Sequence, residues 1–225
     1  MTGRLPHPAL MLVTDRFRSV NPLCLAVPAA IAGGVDLVQL REPDLPDREI
    51  RRLVARLIAT IGPDRILING RPVLAAELGL GLHLREDQPV PARGPDRRMT
   101  ALLGQSFHGA AGTNQPEGRI DYVLAGNVYP TRSHSGRPGR GLGWLRTVVQ
   151  STDLPVLAIG GITLTKVTGV MAAGCHGVAV IDAILASKDP EEAAAALRAA
   201  LDEAAASRRS ARNDVTDNQR GTFQP

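Results

Sequence analysis

Lysine is almost missing from this chain: 24 arginines carry its positive charge, against Lys166 and Lys188 alone. Any anion is therefore expected to meet guanidinium groups, whose planar fork matches carboxylate and phosphate oxygens. Aromatic residues are also scarce, at 3%, and never interleave with basic clusters, so bases would find no stacking platform. Of the net charge of +4, Arg208, Arg209, Arg212 and Arg220 against Asp214 and Asp217 place about half after Ala206. The remaining body is too weakly basic for a nucleic-acid footprint, and no nucleic-acid partner is expected. The only two cysteines, Cys24 and Cys175, lie too far apart for a metal-binding spacing and are expected to be reduced core thiols. No apolar run approaches the ~18 residues of a membrane span. The opening "MTGRLPHPALMLVTD" lacks the apolar core and cleavage site of a signal peptide. A cytoplasmic protein with no membrane partner is expected.

What the chain does contain is a regular alternation. Eight short apolar runs read as strands: 9–15, 35–42, 65–70, 81–84, 101–106, 121–129, 155–161 and 177–184. Several lack polar alternation, as parallel strands covered on both faces do. Amphipathic segments at 23–32, 47–60, 72–78, 142–150, 163–172 and 190–205 read as helices, with Asp47 and Thr163 as expected N-caps. The segments after strands four and five are poor helices, being short and charged or broken by Gly and Pro. Eight strands alternating with helices predict an α/β fold, a single (β/α)₈ TIM barrel over residues 1–206. An open doubly wound sheet is the alternative, but no glycine-rich turn follows the first strand. Residues 207–225 have no apolar periodicity and are expected to form a disordered polar tail.

In such a barrel the chemistry sits at the C-terminal strand ends. Gln39 and Arg41 alternate along strand two and should share one side, facing the barrel mouth; the alternative is a buried structural pair with Glu42 or another acid. Asn69 ends strand three, either to bond a heterocycle or to cap the next helix. Gly160 and Gly161 end strand seven, where backbone N–H groups could cradle a phosphate, or they form only a tight turn. Asp182 argues against an anion there unless its carboxylate is turned away. His83 and His108 lie at strand ends and His134 in the loop "AGNVYPTRSHSGRPGRGLG", 125–143, which looks suited to covering an anion.

The stretches "LVTD", "VQLRE", "INGR", "GLHLREDQP", "GQSFH", "DYVLAGNVYPT", "AIGGI" and "GVAVIDAI" occur in the order and approximate spacing of the thiamine phosphate synthase and TenI superfamily. The chain resembles that superfamily over residues 10–200. The resemblance implies a homodimeric barrel enzyme of thiamine biosynthesis. One branch, the synthase, is a transferase that joins hydroxymethylpyrimidine diphosphate to thiazole phosphate with Mg²⁺ and releases pyrophosphate. The TenI branch includes a thiazole tautomerase, an isomerase that moves a proton without a metal. Residue by residue, Gln39 matches the pyrimidine-diphosphate glutamine, but the family's lysine is Pro43. Asn69 matches, but Gly70 replaces a Mg²⁺ aspartate. The second Mg²⁺ aspartate falls on Gln88, or on Asp87 with a one-residue slip. Ser106 matches the serine of strand five. The loop Thr-x-Thr-Lys becomes Thr131, Arg132, Ser133 and His134, and the terminal Val-Ser becomes Ile181 and Asp182. Arg132, Arg137 or Arg140 could stand in for the absent lysine. The tautomerase's histidine position is Asn127. On these matches thiazole phosphate would be held by Thr131, Ser133, Gly161 and the Ile181 backbone. The activity expected is metal-independent thiazole phosphate tautomerisation, with His134 as the first candidate for proton transfer and His108 and His83 behind it. The alternatives are a Mg²⁺-dependent synthase with Asp87 as metal ligand, and a noncatalytic thiazole- or phosphate-binding regulator.

Overall fold

A computed structural model of the chain describes residues 5–91, 101–109, 120–132 and 138–220. Eight strands, β1 (Ala9–Val13), β2 (Leu37–Leu40), β3 (Ile66–Asn69), β4 (Gly81–Leu84), β5 (Leu103–Phe107), β6 (Tyr122–Ala125), β7 (Val156–Ile159) and β8 (Gly177–Val180), pair in parallel and in chain order. β1 closes on β8, so the sheet is a barrel without edges. The helices α1 (Leu23–Ala32), α2 (Asp47–Ile61), α3 (Pro72–Leu78), α4 (Gly141–Gln150), α5 (Val167–Ala172), α6 (Asp182–Leu185) and α7 (Pro190–Arg220) fall between or after the strands. None of the described helices is long and apolar enough to cross a membrane.

The near-continuous apolar strands are explained by two separate cores. Leu10, Leu12, Val38, Leu40, Ile66 and Ile68 face the helices. The alternate positions Ala9, Met11, Val13, Leu37, Leu67 and Tyr122 fill the barrel interior. With side chains alternating from one face to the other, both sets must be apolar, and periodicity cannot distinguish them. The interior set continues upward into polar residues: Leu37 is followed on its own face by Gln39 and Arg41, and Leu67 by Asn69. Register fixes their neighbours, pairing Gln39 with Val13 and Leu67, and Asn69 with His83.

Two local expectations are corrected. Asp47 is not a cap: Pro46 holds that position, and the Asp47 carboxylate at the first helical residue pairs with Arg71 instead. Thr163 makes no capping bond, and its hydroxyl lies 3.2 Å from that of Thr165. The last helix spans Pro190–Arg220, beyond the 190–205 read from the sequence. No Gly or Pro interrupts residues 191–220, and Gly221 follows. Missing apolar periodicity argues against burial, not against helix.

Candidate active site

The C-terminal strand ends surround a cavity of about 660 Å³. Its floor is a chain of polar groups set just above the apolar interior. The Asn69 amide donates to Gln39 Oε1 at 3.0 Å, and Gln39 Nε2 approaches Met11 Sδ at 3.8 Å. Asn69 therefore does not cap α3, which begins after Arg71 with a proline at its first position. One layer below the mouth, His83 bridges Tyr122 Oη and Ser106 Oγ, at 2.9 Å on each ring nitrogen. His83 is fully buried; desolvation, with a smaller push from His108, pulls its pKa down to about 3. Tyr122 is buried as well, and desolvation raises its pKa. Both groups are thus neutral at physiological pH. His83 lies outside the cavity wall and, neutral with both nitrogens engaged, is a positioning group for Ser106.

Arg41 rises from β2 into the cavity, as the alternation with Gln39 predicts. It does not pair with Glu42, whose carboxylate takes Arg16 at 3.4 Å; among the described residues Arg41 has no ion pair. The loop beside it is held from outside. Arg71 donates to the carbonyls of Glu42, Pro43 and Leu45 at 3.2, 3.4 and 2.6 Å, and pairs with Asp47. That arginine braces the site and is not part of its lining.

Across the barrel, Gly160 and Gly161 end β7 with φ of +100° and +61°. A Cβ on Gly160 would lie 2.7 Å from Asn127 Cα, and one on Gly161 would lie 2.9 Å from Tyr129 Cβ. The glycines therefore admit the segment 127–130 against β7 while lining the cavity, so more than a tight turn is served. Asn127, Thr131, Arg132 and Ile181 line the same wall. The Asn127 amide donates to the Tyr129 carbonyl at 3.3 Å. Asp182 does face the cavity, but Arg18 pairs with it at 3.2 Å and with Asp15 at 3.3 Å. Its second oxygen, Oδ1, is buried without a hydrogen-bond partner among the described residues.

His108 reaches the cavity, and its Nδ1 donates to the Gly126 carbonyl at 2.7 Å, which makes Nε2 the basic nitrogen of the neutral ring. Ser133, His134 and Arg137 lie outside the described residues. Arg140 is turned away: its guanidinium stacks over Trp144 at 5.0 Å and donates to the Gly109 carbonyl. Two cations that the strand-end reading missed also line the cavity, Arg85 and Lys166. Lys166 donates to the Gly161 carbonyl at 2.7 Å and sits over the Tyr129 ring at 4.5 Å. Arg85 was detectable, since it stands two residues beyond His83 just as Arg41 stands two beyond Gln39.

The residues in place do not suit a Mg²⁺ ion. Gly70 offers no carboxylate. Gln88 gives its amide to the Gly70 carbonyl at 3.0 Å, and its Oε1 accepts the Arg85 N–H at 2.9 Å. Asp87 is largely exposed and lies 3.4 Å from Arg85 Nε. Among the described residues no three His, Cys, Asp or Glu side chains converge to hold a metal. A hard divalent ion wants several oxygen ligands; among the described residues this corner offers Asp87, solvated beside a guanidinium, and Glu86, which already accepts the His108 backbone N–H at 2.8 Å.

A closed parallel barrel whose C-terminal strand ends enclose an arginine-bearing cavity belongs to the class of TIM-barrel proteins with their site at that face. Comparison with known proteins narrows that class. A family model described as thiamine monophosphate synthase, TMP-TENI, matches residues 10–184. A Geobacter sulfurreducens protein named "Putative thiamine-phosphate synthase" is 40% identical over 202 residues, covering 86% of this chain and 94% of its own. The thiamine-phosphate synthase of Azorhizobium caulinodans is 35% identical over 214 residues, 88% of this chain and 98% of its own. Thiamine phosphate pyrophosphorylase from Pyrococcus furiosus superposes with a TM-score of 0.68 at 25% identity, over 87% of this chain and 96% of that one. The chain belongs to the thiamine monophosphate synthase and TenI family.

Proposed function

We propose that this protein is a thiamine-phosphate synthase: it joins a pyrimidine carrying a diphosphate leaving group to a thiazole phosphate. The observation that carries the reading is the division of one cavity into two unlike ends. Asn69, Gln39 and Arg41 form an amide floor with a cation above it at the β2–β3 side. Gly160, Gly161, Thr131 and Lys166 form a second anion-compatible end at the β6–β7 side. In a closed barrel of eight strands in chain order, β3 stands opposite β7. A one-substrate isomerase needs a single such end, whereas a condensation needs two. The relatives named as thiamine-phosphate synthases support the same choice.

In this reading the amides orient the pyrimidine, and the thiazole nitrogen forms a bond to the pyrimidine methylene carbon. The carbon–oxygen bond to the diphosphate breaks, and its electron pair leaves with pyrophosphate. Fixed positive charge at the departing oxygens lowers that barrier, and Arg41 is placed to supply it. The test is product formation from both substrates by purified protein. Arg41→Ala should lower kcat/KM by about 10²-fold, the scale of removing one charge-stabilising group. No product with either metal-free or Mg²⁺-supplemented buffer would refute the reading.

Metal-independent tautomerisation of thiazole phosphate is the second reading, favoured by the absence of acidic groups at Gly70 and Gln88. His108, with its tautomer set by Gly126, is the described group suited to move the proton. Solvent proton exchange into the thiazole, without a pyrimidine, would select it.

A further inference from the structure

The poor fit to a divalent metal has a counterpart in what occupies that corner. β2, β3 and β4 are neighbours, so Arg41 after β2 and Arg85 after β4 flank the Asn69–Gly70 end of β3. A Cβ built on Gly70 would lie 3.6 Å from Arg85 Nη1 and 3.5 Å from Gln88 Oε1. The guanidinium thus stands beside the place where a carboxylate at residue 70 would otherwise project. Its backbone is pinned on both sides. The Arg85 N–H donates to Gln88 Oε1, and the Arg85 carbonyl accepts from Gln105 Nε2 at 3.2 Å. The same Gln105 amide reaches the Gln88 carbonyl at 2.9 Å, and Gln88 Nε2 ties the turn to Gly70. These amide hydrogen bonds fix the backbone from which the largely exposed Arg85 side chain reaches the cavity wall. Asp87 beside it, at 3.4 Å, partly offsets its charge.

We propose that Arg85 is a built-in cation that binds the diphosphate of the pyrimidine substrate, with Asp87 moderating its charge and not ligating a metal. This inference rests on the synthase reading for the identity of the substrate, but the anion site is testable without turnover. A guanidinium offers a pair of parallel donors to adjacent phosphoryl oxygens, a geometry suited to pyrophosphate. Placed on the opposite side of Gly70 from Arg41, it would share the charge of the leaving group between two arginines. No covalent step is added: the carbon–oxygen bond breaks as before, and pyrophosphate carries away the electron pair.

The experiment is calorimetric titration of the full chain with inorganic pyrophosphate, once in EDTA and once in Mg²⁺. Wild-type protein should bind pyrophosphate in EDTA. Arg85→Gln should weaken that binding by about tenfold or more, the scale of one charge-assisted hydrogen bond, and Arg85→Lys should recover part of it. Asp87→Asn should tighten binding by about two- to threefold, because an exposed competing ion pair is removed. A metal ligand would behave in the opposite way. Binding that needs Mg²⁺ and disappears in Asp87→Asn overturns the proposal, as does unchanged affinity in a folded Arg85→Gln. If Arg85→Gln fails to fold, the sign of the Asp87→Asn effect in EDTA decides alone. Metal-free pyrophosphate binding without product formation would leave the anion site standing and refute the synthase reading. Product formation only with Mg²⁺ would do the reverse.

Discussion

Burying an imidazole that cannot accept a proton makes stability depend on pH, and His83 allows the size of that dependence to be worked out. Desolvation holds its pKa near 3 in the folded chain, against 6.5 for an exposed histidine. Above about pH 6.5 the ring is neutral in both states, and the group contributes no pH dependence. As pH falls below that value, the unfolded chain takes up a proton that the folded chain refuses. Stability is therefore full above the unfolded pKa and falls away toward the folded one, at up to ~1.4 kcal/mol per pH unit. Between about pH 7.5 and pH 5 the decrease from this one residue comes to about 2 kcal/mol. His83→Gln keeps a donor and an acceptor for Tyr122 Oη and Ser106 Oγ but cannot be protonated. Urea unfolding of both proteins at the two pH values forms a cycle in which every other titrating group cancels. The wild type should lose about 2 kcal/mol more than the variant. Equal decreases would mean that the ring titrates normally, and the assignment of His83 as a neutral support for Ser106 would fail with it.

Other consequences of the geometry are separable. A methyl group at Gly104 would sit within the Tyr122 ring, which is held in the barrel interior by His83. Gly104→Ala should destabilise by about 3 kcal/mol, seen as a fall in Tm of roughly 6–12 °C in a chain of this size. Gly161→Ala meets a φ of +61°, the Pro130 carbonyl and Tyr129 Cβ, so the 127–130 wall must shift. Binding of thiazole phosphate, followed calorimetrically, should weaken by about tenfold or more, as when a single charge-assisted hydrogen bond is broken. Arg71→Ala removes three hydrogen bonds to carbonyls of the loop after β2 and should cost about 1–3 kcal/mol, measured by urea unfolding. Because the loop carries Pro43 beside Arg41, kcat should fall as well, although Arg71 itself does not line the cavity.

The strand pattern was legible because it is imposed twice. A residue facing the barrel interior and its neighbour facing the helices must both be apolar, and all eight runs lie within two residues or so of strands in the structure, apart from ends that continue into the mouth. Caps were not legible in the same way. Asp47 precedes a helix as a cap would, but Arg71, 24 residues on, competes for its carboxylate, and proline at residue 46 supplies the helix entry. The extent of the last helix escapes a reading by periodicity for a related reason: periodicity reports whether a face is buried, not whether the backbone is helical.

At the site, side-chain alternation along one strand identified Gln39 with Arg41, and the same rule extended from His83 reaches Arg85. Partners from distant segments lay beyond such a rule. Asp182 is the instructive case. As a lone carboxylate beside two glycines it argues against a bound phosphate, and the sequence offers no neighbour to neutralise it. The fold brings Arg18 from the loop after β1, 164 residues away, to pair with one oxygen and so reduce the repulsion. The other oxygen is buried and has no partner among the described residues, and a buried acceptor without a donor is destabilising. A fully ionised phosphate would offer it nothing, whereas a phosphate carrying one proton would donate to it. Asp182→Ser removes both the repulsion and the orphaned acceptor. Thiazole phosphate should therefore bind the variant more tightly, by about threefold to tenfold at about pH 8, where the ligand is dianionic, and with little change at about pH 5, where it keeps a proton. Equal effects at the two pH values would show that Arg18 already cancels the charge of Asp182 at the bound phosphate.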